Sequence, residues 1–173
     1  GYHGWHDWYV QREQPGLAAP GAAPELFRFP PNDLRSLEQL LADHAGEVAA
    51  VMLEPAAQAV SVEGPILDAD GAFLAAVRRL CDRQGIVLIF DEIITGFRYA
   101  HGSVQQAMGV VPDLTCWGKA LGGGMPLSAL TGKKAMLAGA LSNAAYYPTF
   151  RGEMYSLAAA KAALTLYARE DVP

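Results

Sequence analysis

Two rhythms of apolar residues alternate along this chain. Val48 to Leu53 and Ile86 to Phe90 are continuous apolar runs, the pattern of short strands buried on both faces. Shorter runs near Leu114–Trp117 and Leu127–Thr131 predict two further strands. Between the runs the period becomes helical. Leu34, Leu37, Leu40 and Leu41 share one face, with Asn32 or Asp33 placed to cap the helix and Gly46 to end it. Phe73, Leu74, Val77, Leu80 and Cys81 repeat the spacing, and Gly85 stands where a left-handed terminating glycine belongs. Short helices are predicted at Ser103–Met108 and Lys133–Leu141, and Gly152–Arg169 is Ala-rich and strongly helix-forming. Residues 1–31, rich in aromatics, Pro and Gly, read as loop with a short strand; Pro55–Asp70 and Gly122–Gly124 have turn chemistry. Uniformly apolar strands alternating with helices predict an α/β domain with a mostly parallel sheet.

Composition narrows the function classes. Of 173 residues, 51% are hydrophobic and 18% charged, which describes a globular chain with one domain and one sizeable core. The formal net charge is -5. Lys and Arg form only short pairs, Arg78-Arg79 and Lys133-Lys134, so no nucleic-acid partner is expected. Cys81 and Cys116 stand alone, giving neither a zinc site nor a disulfide framework, and a cytoplasmic location is expected. No apolar stretch reaches membrane-spanning length, so no membrane partner is expected. His3 and His6 flank a segment next to Asp7 but lack the third ligand a metal site needs; they read as packing or cofactor support. The chain opens Gly-Tyr-His-Gly without an initiator Met and stops at Pro173 after a long helical pattern. It is therefore expected to be an excerpt of a longer protein.

Two residues carry the candidate chemistry. Asp91 follows the run Ile86–Phe90, at the carboxyl end of a predicted strand, where open α/β sheets bind ligands. An Asp there also caps turns for purely structural reasons. Lys119 lies in Trp117-Gly118-Lys119-Ala120-Leu121-Gly122-Gly123-Gly124-Met125-Pro126. Hemmed in by Trp, Ala, Leu and glycines, it is expected to be partly buried, which lowers the pKa of an amine and frees it as a nucleophile. A phosphate-binding P-loop is excluded by order, since the glycines follow the lysine and Ala120 occupies the Ser/Thr position. A glycine-rich turn with an incidental lysine has the same local signature. As a pair, Asp91 and Lys119 match what pyridoxal phosphate requires, a lysine on its aldehyde and an acid on its pyridine nitrogen.

At this point a family resemblance is visible. Asp91-Glu92-Ile93-Ile94-Thr95-Gly96-Phe97-Arg98 resembles the D-E-[VI]-x-T-G-F-R signature of class III pyridoxal-phosphate-dependent aminotransferases. Val111-Pro112-Asp113-Leu114, followed by Gly118 to Ala129, resembles that family's lysine segment, and Tyr2-His3-Gly4-Trp5-His6-Asp7-Trp8 resembles its cofactor-stacking segment. The nearest variants are glutamate-1-semialdehyde aminomutase-like. The resemblance implies the large cofactor domain of fold-type I enzymes, incomplete at both ends. The phosphate-binding cup would precede this stretch and the small domain would follow it. It also implies amino-group transfer through a Lys119 Schiff base, between an amino donor and a carbonyl acceptor or within one substrate. Asp91 would meet the ring nitrogen, Tyr2 would stack on the ring and His3 would support the cofactor. Thr149, in Pro148-Thr149-Phe150-Arg151-Gly152-Glu153, would reach the phosphate in the neighbouring subunit of a homodimer. Glu54 would be at most a supporting residue.

The chain departs from the family pattern in two places. Ile94 stands where many members carry a Gln, so a polar cofactor contact is missing there, as in aminomutase-like members. Ala56-Ala57-Gln58-Ala59 replaces the usual residues after Glu54-Pro55, which leaves the partner of the cofactor 3′-oxygen open, Gln58 included. Two readings of other classes compete. A catalytically silent module could keep the fold, but intact Asp91 and Lys119 argue against it. A nucleotide-binding α/β protein would need a G-x-G-x-x-G or P-loop motif, and neither occurs.

Overall fold

The computed structural model describes residues 3–4, 26–56, 70–101, 103–143, 149–150 and 152–170. Its centre is a four-stranded sheet in the order β1-β2-β3-β4, formed by Ala50–Leu53, Val87–Asp91, Leu114–Trp117 and Ala129–Gly132. The first three strands are parallel and β4 closes the far edge antiparallel. The register pairs Leu53 with Phe90 and Asp91 with Cys116, so the strand ends line up along one carboxyl edge.

Helices α1 (Leu34–Asp43) and α2 (Gly71–Gln84) supply the main core. Asp33 caps α1 by accepting from Ser36 N at 3.0 Å, and Asp70 caps α2 by accepting from Ala72 N and Phe73 N. Gly85 ends α2 at φ 68°, a left-handed position that suits a residue without Cβ. Leu37 and Leu41 from α1 and Leu74, Val77 and Cys81 from α2 form one cluster with Leu88 and Phe90 of β2. Each such side chain contributes roughly 1.5–3 kcal/mol by leaving water.

The uniform burial expected of the strands is not what the fold gives. In β1, Val51 and Leu53 are buried while Ala50 is exposed, and β2 also alternates. Among the described residues β1 is an edge strand and the helical core covers one face, so the apolar runs are more hydrophobic than these surroundings require. β4 begins at Ala129 rather than Leu127, because Leu127 N donates to Met125 O within a turn at Pro126 and is lost to the ladder. A 3₁₀ turn, Lys119–Gly122, stands where only loop is expected.

The remaining helices are α3 (Ser103–Met108), α4 (Lys134–Asn143) and α5 (Met154–Glu170). α5 forms from an Ala-rich sequence but buries only Ser156 and Ala160. Phe150, Met154 and Tyr155 at its start are at least 80% exposed. Among the described residues, no helix is long and apolar enough to cross a membrane.

Candidate active site

Asp91 is the last residue of β2 and is 3% exposed. Its Oδ2 lies 2.7 Å from His3 Nδ1, and its Oδ1 accepts from Ile93 N at 3.1 Å. A carboxylate only accepts, so the His3 nitrogen facing it carries the proton. A carboxylate offers about four acceptor positions, and the two bonds made by the described residues leave Asp91 with capacity for another donor. Cys116, opposite Asp91 in β3, reports the same environment. Its thiol pKa is pushed up first by burial and then by the Asp91 charge.

The adjacent Glu92 has a different task. It is fully buried, and its N–H donates to Cys116 O, extending the sheet by one residue. Its carboxylate accepts from Thr95 Oγ1 at 2.8 Å, from Ser103 Oγ, and from Val104 N and Gln105 N, both at 3.2 Å. Glu92 thus takes up the free amides that begin α3 and fixes the loop that follows Asp91. Gly96 in that loop is sterically required: a Cβ there would lie 2.6 Å from Glu92 O and 3.0 Å from the Trp117 ring.

Lys119 follows β3 closely and opens the 3₁₀ turn. Because β2 and β3 are parallel neighbours, Asp91 and Lys119 sit at the same edge of the sheet. Lys119 has φ 44°, a left-handed conformation uncommon outside glycine. The turn is closed by Leu121 N to Gly118 O at 3.0 Å and Gly123 N to Ala120 O at 3.2 Å. The expected partial burial of Lys119 is not found: the residue is exposed. Its glycine neighbours have no side chains to cover it, and its hydrophobic neighbour Leu121 turns inward.

Of the other expected site residues, His3 joins Asp91, Glu54 is buried and Ile94 is half-buried. Tyr2, His6 and Gln58 fall outside the described residues. Thr149 is exposed in a turn ahead of α5, and among the described residues no hydrogen bond ties it to Asp91 or Lys119. Nor does Thr149 cap that helix. Glu153 does, accepting from Tyr155 N at 2.5 Å and Ser156 N at 2.9 Å. A cavity of about 770 Å³ opens beside β1, bordered by Phe27, Phe29, Leu40 and Met52 and reaching His3 and Glu54. Neither Asp91 nor Lys119 lines it.

A buried, oriented carboxylate and an exposed lysine thus stand at adjacent strand ends of a parallel sheet, the edge at which α/β proteins bind ligands. The comparisons with known proteins specify the family. The profile described as Aminotransferase class-III matches residues 17–173, and the chain belongs to that family. The glutamate-1-semialdehyde 2,1-aminomutase of Chlorobium luteolum is 41% identical over 146 residues, covering 79% of this chain and 33% of its own. An omega-transaminase from Sphaerobacter thermophilus superimposes with TM-score 0.80 at 30% identity, over 96% of this chain and 42% of that one. The FumI protein of Sphingopyxis sp. MTA144, solved in its pyridoxal phosphate internal aldimine form, gives TM-score 0.73 at 31% identity, over 80% and 33% of the two chains. The chain therefore spans about a third to two fifths of the length of these relatives. The α/β fold is that of fold-type I aminotransferases, whose cofactor is pyridoxal 5′-phosphate.

Proposed function

We propose that the intact protein transfers amino groups with pyridoxal phosphate, either from an amino donor to a carbonyl acceptor or within one substrate as an aminomutase does. The observation that carries this reading is Asp91, a carboxylate buried at the end of β2 and oriented by His3 at 2.7 Å. The described residues fit the cofactor, because a buried acid with spare acceptor capacity suits a protonated ring nitrogen. When bound, the cofactor withdraws electrons from the carbon that bears the amino group, so that a proton there can leave. Asp91 would hold the proton on the ring nitrogen, and His3 would hold Asp91. Lys119 would hold the cofactor through its aldehyde, with loss of water; once the substrate amine displaces it, its freed amine would carry the proton. By the family resemblance Tyr2 would cover the ring, and Thr149 would reach the phosphate held by a partner subunit.

On this reading the chain is part of one large cofactor-binding domain of a cytoplasmic homodimer. The phosphate-binding loop lies before it and the small domain after it. Phe150, Met154 and Tyr155, exposed beside Thr149, offer an apolar surface of the kind that subunit contacts cover. The test is to add pyridoxal phosphate to the intact protein and follow near-visible absorbance and amino transfer from several donors. A new band with turnover is the expected result. A band without turnover would favour a silent binding module, and the absence of both band and turnover would contradict the proposal.

A further inference from the structure

We propose that Tyr167 is a positioning residue for Lys119, an inference that rests on Lys119 being the reactive amine. Tyr167 touches both halves of the site from α5. Its hydroxyl donates to Ala120 O at 3.1 Å, the carbonyl of the residue that directly follows Lys119. Its ring stacks on Phe97, with centroids 5.7 Å apart, and Phe97 packs in turn on Trp117 at 5.3 Å. Phe97 belongs to the loop after Asp91, and Trp117 ends β3 just ahead of Lys119. The stack therefore ties the loop of the acid to the turn of the amine.

Both tied segments need support. Phe97 has φ 63° and Lys119 φ 44°. Left-handed backbone at residues other than glycine costs free energy and persists only where the surroundings over-determine it. The Lys119 turn is otherwise closed by its own short-range hydrogen bonds. α5 approaches it closely enough that a Cβ on Gly123 would lie 3.3 Å from Ala163 Cβ. A hydroxyl donating into the turn and a ring bracing the acid's loop are suited to hold Lys119 in one orientation relative to Asp91. The rival is that Tyr167 merely anchors α5.

The test is Y167F in the intact protein, which keeps the ring and removes the hydroxyl. Without cofactor, exchange of the Leu121 and Gly123 amides should accelerate about three- to tenfold, the size of one lost hydrogen bond. Amides of β2 should be unchanged. With cofactor, kcat should fall by a similar factor while KM moves less than about twofold. A variant whose turn exchange and kcat both match the parent overturns the proposal. So does one in which all amides accelerate together, because that is the mark of a helix anchor. Borohydride labelling separates this inference from its premise. Label on Lys119 with unmoved exchange and kcat sinks the role of Tyr167 alone, whereas label on another lysine overturns the premise and the proposal with it.

Discussion

Two buried aspartates sit at opposite ends of the same parallel strands, and their surroundings differ in kind. Asp113 precedes β3 at its amino end and is 5% exposed. It accepts from Arg78 Nη1 at 2.8 Å, Lys133 Nζ at 2.5 Å and Leu88 N at 2.7 Å. Burial alone would raise its pKa, but the Lys133 ammonium, the Leu88 amide and the Arg78 guanidinium together bring it down to about 2. Asp91 at the carboxyl end is as buried, yet its described partners are one His ring and one amide. The first carboxylate is saturated by cations from α2 and from the residue after β4, so it joins three elements and has no reason to meet a ligand. Among the described residues, the second is oriented but not saturated. Burial marks both; the capacity left among the described residues is what suits Asp91 to the proposed role.

The contrast can be broken by substitution. In the intact protein, Asp91→Asn should lower kcat by about 10²- to 10³-fold, since an amide cannot hold a cationic ring nitrogen. Its melting temperature should stay close to the parent value. Turnover near the parent level would make Asp91 a structural residue like Asp113. Asp113→Ala should do the reverse. Arg78 would keep its other carboxylate, Asp82 at 2.7 Å, but the buried Leu88 N–H would lose its acceptor, a loss of about 2 kcal/mol, read by urea denaturation. Any surviving folded fraction should turn over normally.

Acid sharpens the same distinction. The Asp113 pKa is depressed on folding, from 3.8 to about 2. Its contribution to stability is therefore complete above pH ~4 and lost as the pH falls from ~4 towards ~2, in total about 2 kcal/mol. Asp113→Asn should flatten that acid limb, and an unchanged limb would show that Asp113 is not its source. The smallest effect is expected from Asp70→Ala. Uncapping α2, which carries Arg78, should cost about 1 kcal/mol of stability. The carboxyl end should not respond, so a loss of kcat larger than the loss of folded protein would show that the two ends are coupled.

Much of this architecture was legible in the chain because it is local. Asp33 and Asp70 cap helices through amides two or three residues away, and Gly85 terminates its own helix. Asp91 could be found because a charged residue ending an apolar run has few places to go. The residues that local pattern does not single out act across the sequence. Glu92 gathers donors up to 13 positions away, hidden beside the more conspicuous Asp91. Asp113 needs Arg78, 35 positions off, before its role can be seen. Tyr167 meets Ala120 over 47 positions and sits in an Ala-rich helix whose period gives it no distinction. Lys119 is exposed rather than partly buried for a physical reason as well. Glycines signal close approach of backbone, but they cover nothing, and a lysine among them stays open to solvent.

The central claim is that the acid at the end of β2 works with the amine at the end of β3. Its most direct test is to load the intact protein with pyridoxal phosphate, reduce with borohydride, digest and map the labelled peptide. A pyridoxyl group is expected on Lys119, within the segment Gly118–Gly124. A pyridoxyl group on Lys133, Lys134 or Lys161, with Lys119 unmodified, would contradict it.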